Sequence, residues 1–226
     1  MSREFRFVLV GSGNMSRTYV TAVRRLPGLR ITGVVSRSGR QPENWPAGEP
    51  LEVAGSLRDI RGQFDAVILT TPNGMHRDYA IEAAGLGKHV FTEKPLEVTG
   101  RACRDMIAAC RRRRVKLGVA FQRRVSPDNI SVKRLLDQGR LGRVFAADVS
   151  VKFYRDQAYY DSAPYRGTRA GDGGGPLMHQ ASHNLDIYTW FFGLPVRAVG
   201  ATGTFRHDIE VEDHGAAILR HRNGMI

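Results

Sequence analysis

Residues 5–16 read FRFVLVGSGNMS: a β-rich apolar run from Phe5 to Val10 breaks at Gly11, and small residues follow until helical spacing begins at Met15. Apolar positions then recur with a helical period from Met15 to Leu26 and stop at Pro27-Gly28. A second β-rich run, Leu29 to Val35, completes a βαβ unit of about 30 residues, the length a right-handed parallel crossover requires. The stretch therefore predicts an α/β fold built on a parallel sheet. In that setting Gly11, Ser12, Gly13, Asn14 and Met15 form a turn whose small residues admit a pyrophosphate, while the helix N–H groups and dipole attract it. Ser16 stands where a third glycine often occurs and still leaves a small side chain between helix and strand. An ordinary glycine turn is the bland alternative.

The end of the second strand carries Ser36-Arg37-Ser38, where an NAD site would hold an acidic residue for the adenosine ribose. No carboxylate stands there to repel a 2′-phosphate. Arg37 can pair with such a phosphate while Ser36 or Ser38 donates another hydrogen bond, which favours NADP over NAD. A solvated loop arginine is the competing reading.

Alternation of strands and helices continues outward from this unit. After a polar loop (37–50), a short helix is expected near Ser56 to Ile60, a strand at Ala66 to Thr70, a helix at His76 to Leu86 capped by Gly87, and a strand at His89 to Thr92. Thr99 caps a helix through Arg113, Val115 to Ala120 reads as a strand, and Ser126-Pro127 opens a helix to about Asp137. We place the domain boundary so that 1–122 is a Rossmann dinucleotide-binding domain and 123–226 an α+β substrate and oligomerisation domain. The second part is expected to hold a long strand at Val144 to Phe153, a glycine run at Gly173 to Gly175, a helix to Phe192, and strands near Arg197 to Phe205 and Gly215 to Arg222.

With 226 residues, 42% of them hydrophobic, the chain can bury one good core and part of a second. Lys and Arg outnumber Asp and Glu by 34 to 22, giving a formal charge of +12 and a field that attracts phosphates, nucleotides or acidic sugars. The basic run Arg111 to Arg114 complements a helix C-terminus, and no nucleic-acid motif accompanies it, so no nucleic-acid partner is expected. Cys103 and Cys110 lie seven apart within one helical segment and cannot pair with each other, which suits a reducing setting. The start of the chain lacks a secretory pattern, and no run reaches the roughly 18 apolar residues of a membrane span, so a cytoplasmic location without membrane contact is expected.

Together with Thr71-Pro72-Asn73, His76 and Glu93-Lys94-Pro95, these residues make the chain resemble the Gfo/Idh/MocA family of glucose-fructose oxidoreductases and inositol dehydrogenases. The resemblance runs on through Gln122-Arg123-Arg124, Pro164-Tyr165-Arg166, Gly173-Gly174-Gly175, His183, Asp186 and Val211-Glu212-Asp213, and so covers essentially the whole chain. It implies a Rossmann domain followed by an α+β domain with an open mixed sheet, and a homo-oligomer if that sheet is complete. The implied activity is hydride transfer between NADP, with NAD also admitted, and a secondary alcohol or carbonyl of a sugar or polyol. Thr71, Pro72, Asn73, His76, Glu93 and Lys94 join the cofactor set.

By the same resemblance Lys94 and His183 are catalytic: the Lys94 cation stabilises alkoxide charge, and the His183 imidazole takes or returns the hydroxyl proton. Arg123, Tyr165, Arg166, His179 and Asp186 are expected at the substrate. One departure stands out, because His179 occupies the position four before His183 where many members carry aspartate. Helical spacing would put the two histidines on one face, where His179 contacts substrate, tunes its neighbour or only packs. Zinc is not expected, since no glutamate completes a His-Glu-x-x-His pattern. The chain stops at Asn223 to Ile226 where family members continue, so a C-terminally truncated second domain is expected. A nonenzymatic NADP-binding regulatory or interaction protein, or an inactive fragment, is the rival reading.

Overall fold

The computed structural model describes residues 3–226 and divides into two compact units, the first ending at Ala120 and the second spanning Phe121–Ile226. In the first unit six strands, β1 (Phe5–Val10), β2 (Leu29–Val35), β3 (Glu52–Ala54), β4 (Ala66–Leu69), β5 (His89–Thr92) and β6 (Leu117–Val119), form one sheet in the order β3-β2-β1-β4-β5-β6. Every pair is parallel, with a register shift between Phe7 and Val8 against β2. Helices α1 (Asn14–Arg24), α2 (His76–Gly85) and α3 (Gly100–Arg112) connect β1 to β2, β4 to β5 and β5 to β6.

The strands are apolar on both faces because both are covered. Val8, Val10, Val67 and Leu69 pack with Ala80, Ala83 and Met106 of α2 and α3, whereas Leu9, Val34 and Ile68 pack with Val20 and Val23 of α1. Each such valine, leucine or isoleucine contributes about 1.5–3 kcal/mol on burial. Strand order reverses between β1 and β4, so the crevice beyond their carboxyl ends is the natural ligand position.

Local signals set the helix ends. The Thr99 hydroxyl accepts from the Ala102 N–H at 3.1 Å and starts α3. At its other end the Val115 N–H donates to the Cys110 carbonyl and the Arg114 N–H to the Arg111 carbonyl, a Schellman pattern that holds Arg114 at φ 55°. The predicted short helix near Ser56 is a single 3-10 turn, Leu57–Asp59, and the preceding strand β3 escaped the sequence pattern because it is only three residues long.

The second unit contains α4 (Pro127–Asp137), α5 (Gln157–Asp161), α6 (Pro176–His179), α7 (Ser182–Phe192) and the strands β7 (Arg197–Gly203) and β8 (His214–Arg220). β7 and β8 pair antiparallel from Arg197↔Arg220 to Gly203↔His214. Two expectations are corrected here. The run Val144 to Phe153 joins no sheet among the described residues; its Ala147 N–H donates to the Ile226 carbonyl and its Phe145 carbonyl accepts from the Ile226 N–H. High β-propensity records fitness for a paired, half-buried surface and cannot supply the partner strand. The single helix expected to run to Phe192 is interrupted at Gln180-Ala181, both still in the right-handed helical region, so His179 ends α6 while His183 belongs to α7. The glycine run serves packing: a Cβ on Gly175 would lie 1.6 Å from the Glu212 carbonyl oxygen. No helix among the described residues is long and apolar enough to cross a membrane.

Candidate functional site

In the first unit the loop between β1 and α1 is held from three sides. The Gly11 N–H donates to the Val35 carbonyl at 2.9 Å, and the Thr70 hydroxyl lies 3.0 Å from the Val10 carbonyl and 3.2 Å from that of Gly11. Gly11 has φ 104°, and a Cβ there would sit 3.1 Å from both the carbonyl carbon and oxygen of Thr70, so only glycine fits. Gly13, by contrast, faces open space, with nothing within 4 Å of a Cβ position. It is the N-cap of α1, and no side chain caps that helix. Exposed Gly13, Asn14 and Met15 thus surround uncapped helical N–H groups, an arrangement that accommodates a pyrophosphate.

The predicted adenosine-side residues converge on the same turn. Ser12 Oγ lies 3.0 Å from Ser36 Oγ, which lies 3.2 Å from Ser38 Oγ and accepts the Arg40 N–H at 3.2 Å. Arg37 is exposed beside them and its guanidinium approaches Met75 Sδ at 4.0 Å, leaving it able to swing toward an anion.

At the ends of β4 and β5, the loops carrying Thr71-Pro72-Asn73 and Glu93-Lys94-Pro95 are joined by His76. This side chain is wholly buried, with Nδ1 3.2 Å from the carbonyl oxygens of Pro95 and Leu96 and Nε2 3.1 Å from that of Thr71. Burial pushes its pKa down, against the opposing pull of those carbonyls. His76 was expected to touch the cofactor; its location makes it an internal brace between the two loops. The Thr71 hydroxyl is buried without a hydrogen-bond partner, an orphan at the strand end that fits a site completed by a bound group. Nothing in the sequence pattern flagged Tyr19, yet its hydroxyl donates to Glu93 at 2.6 Å, and Glu93 also accepts the Lys94 N–H at 3.2 Å. Burial, then the bond and charge of Glu93, push the Tyr19 pKa far up, so it remains a proton donor.

The second unit places its expected residues as follows. His183 meets the Phe121 ring edge-on at 6.3 Å. Arg123 donates to Asn184 at 2.7 Å, while Arg124 grips Asp186 through two bonds of 2.7 Å, so the carboxylate expected at the substrate is held by an arginine. The Arg166 guanidinium lies 4.1 Å from the Tyr159 ring centre and 5.7 Å from that of Tyr165. His179 Nε2 is 3.7 Å from buried Asp172, which also accepts the Gly167 N–H; Asp172 was missed because it sits in a glycine-rich run that reads as a turn. Asp213 is held too. Burial pushes its carboxyl up, but the backbone N–H groups of Phe205, Arg206 and His207 and the His207 ring together bring it down to about 2. Among the described residues no three His, Cys, Asp or Glu side chains converge as a metal site.

Comparison with known proteins agrees with this layout. Residues 5–121 match the model of an oxidoreductase family with an NAD-binding Rossmann fold, and residues 130–226 match the GFO/IDH/MocA C-terminal domain. The WlbA dehydrogenase from Bordetella pertussis, solved in complex with NADH and UDP-GlcNAcA, superposes with a TM-score of 0.93 at 35% identity, covering 99% of this chain and 69% of that one. The 1,5-anhydro-D-fructose reductase of Ensifer adhaerens is 27% identical over 98% of this chain and 67% of its own length. The scyllo-inositol 2-dehydrogenase (NADP(+)) IolW of Bacillus subtilis is 29% identical over 72% of this chain and 45% of its own. The chain spans about three fifths of the length of the oxidoreductases YrbE of Bacillus subtilis and P35 of Formosa agariphila.

Proposed function

Because the chain belongs to the GFO/IDH/MocA oxidoreductase family, we propose that it is an NADP-preferring dehydrogenase or reductase. It would move a hydride to or from a secondary alcohol or carbonyl of a sugar, polyol or related substrate. The observation that carries this reading is the turn from Gly11 to Asn14 at the point where strand order reverses, with the Ser12-Ser36-Ser38 hydroxyl chain and Arg37 beside it and no carboxylate among those side chains. Bound there, the nicotinamide nucleotide would supply the redox chemistry.

The protein's own residues then have separate tasks. Gly13 and the start of α1 bind the pyrophosphate, and Ser36, Arg37 and Ser38 bind the 2′-phosphate. Thr71, Asn73 and Glu93 shape the site at the ends of β4 and β5, with His76 bracing their loops. The Lys94 ammonium stabilises negative charge on the substrate oxygen, and the His183 imidazole accepts the hydroxyl proton in oxidation or returns it in reduction. Arg123, Tyr165, Arg166, His179 and Asp186 are assigned to substrate binding and its support. A reducing cytoplasm suits Cys103 and Cys110, free thiols whose pKa values burial pushes up. The names of relatives that include an NADP(+)-dependent inositol dehydrogenase and an anhydrofructose reductase support both the cofactor and the substrate class.

The test is turnover. Absorbance of the reduced nicotinamide is followed with a panel of sugars and polyols in both directions, for the chain and for Lys94→Ala and His183→Ala. Activity that falls at least a hundredfold in each variant while nucleotide affinity persists supports the assignment; equal activity in either variant removes that residue from the chemistry.

A further inference from the structure

Within the second unit lies a cavity of about 320 Å³ whose wall includes neither His183 nor any residue assigned above to hydride transfer. Arg155 and Arg206 stand on that wall beside Tyr154 and Tyr159. The Arg155 guanidinium carbon is 4.6 Å from the centre of the Phe153 ring and 4.5 Å from that of Tyr159; Arg206 lies 5.7 Å from Tyr154. Stacking of this kind orients the guanidinium plane and leaves its in-plane N–H donors unused. Arg155 Nε is in fact buried without a hydrogen-bond partner, and among the described residues neither arginine is ion-paired.

The cavity's two carboxylates are engaged with groups other than these guanidiniums. Asp213 is occupied by three backbone N–H groups and the His207 ring, and Asp172 by the Gly167 N–H with His179 beside it. The wall is formally balanced, two arginines against Asp172 and Asp213, yet among the described residues neither guanidinium is ion-paired, and an anionic group is the ligand that such donors select. The exposed Tyr154 on the same wall offers ring surface suited to the C–H surface of a sugar, with a hydroxyl at its edge. The volume is at the small end of the range of ligand pockets and matches a ligand of hexose size rather than a dinucleotide.

We propose that this cavity binds a sugar bearing an acidic group, carboxylate or phosphate, with Arg155 as its principal anion contact and Arg206 as a second. Binding itself is independent of the hydride chemistry; that the bound sugar is the substrate rests on the oxidoreductase reading.

The experiment is calorimetric titration of the full chain with D-glucuronate, D-glucose 6-phosphate, D-glucose and inorganic phosphate, alongside a separate fluorescence titration with NADPH. The proposal expects at least one acidic sugar to bind tenfold or more tightly than both glucose and inorganic phosphate. Preference for glucuronate identifies a carboxylate ligand, and preference for glucose 6-phosphate a phosphate. Arg155→Gln should abolish the preference with the thermal midpoint and NADPH affinity unchanged, and Arg206→Gln, at an exposed position, should weaken it by severalfold. Equal binding of glucose, an affinity for inorganic phosphate alone (an adventitious ion only), no binding of any sugar, or an unaltered preference in Arg155→Gln would each overturn it. Acidic-sugar binding by a chain that takes no nucleotide would uphold the cavity assignment and overturn the oxidoreductase reading.

Discussion

Replacing Asp213 by asparagine should destabilise the second unit by about 2 kcal/mol at neutral pH. The carboxylate accepts backbone N–H groups at 2.9, 2.8 and 3.0 Å and the His207 ring at 3.0 Å, and its side chain is only 5% exposed. These donors lower its pKa from 3.8 to about 2 in spite of burial; at about 1.4 kcal/mol per unit, the ionised form is worth about 2 kcal/mol to the fold. Because the folded pKa lies below the unfolded one, that stability is present above about pH 4 and disappears as pH falls through about 2. Asparagine keeps a similar shape and one acceptor oxygen but carries no charge. Urea unfolding is followed in a Trp45→Phe background, so that Trp190 fluorescence reports the second unit alone. The difference between the parent chain and its Asp213→Asn variant should be constant from pH 7 to about pH 5 and shrink steadily below about pH 4. An unchanged midpoint in the variant at pH 7, or the same acid-induced loss in both proteins, would refute the reasoning.

Three further outcomes follow from local geometry. Arg114→Gly should stabilise the first unit by about 1 kcal/mol, read as a higher urea midpoint at Trp45, because glycine adopts the left-handed position of a Schellman cap without the cost an L side chain incurs. Gly13→Ala should leave the thermal midpoint unaltered, since nothing of the protein lies within 4 Å of the new methyl, yet weaken nicotinamide nucleotide binding about tenfold by intruding where the pyrophosphate approaches; a loss of stability without a loss of affinity would contradict this. Tyr19→Phe keeps the edge-on contact with Phe91 and removes the donor to Glu93, so unfolding read at Trp45 should show a loss of about 1–2 kcal/mol.

How much of this was legible in the sequence depended on how local the cause was. The β1-α1-β2 unit is written in a change of apolar period at Gly11 and a stop at Pro27-Gly28, and β2, β5 and α4 fall where pattern and caps place them. Val144 to Phe153 has the composition of a strand, but pairing depends on a neighbour that composition does not encode. The break between α6 and α7 falls at Gln180-Ala181, where neither glycine nor proline announces it, and it puts His179 and His183 in separate helices. The glycine turn after β1 and the Ser36-Arg37-Ser38 segment could be singled out because each lies within a few residues of a strand end. The supports of the site were not: Tyr19 reaches Glu93 across 74 positions and Arg124 reaches Asp186 across 62, and His76 reads as a ligand contact until its burial is known.

The most direct test of the central claim is a fluorescence titration of the purified chain with NADPH and, separately, NADH, repeated at higher salt to subtract the pull of its positive charge. The account predicts saturable binding, NADPH at least tenfold tighter than NADH, and loss of that preference in Arg37→Ala. NADH binding as tightly as NADPH, or a preference untouched by Arg37→Ala, would contradict the cofactor assignment, and a folded chain that bound neither nucleotide would contradict the oxidoreductase reading itself.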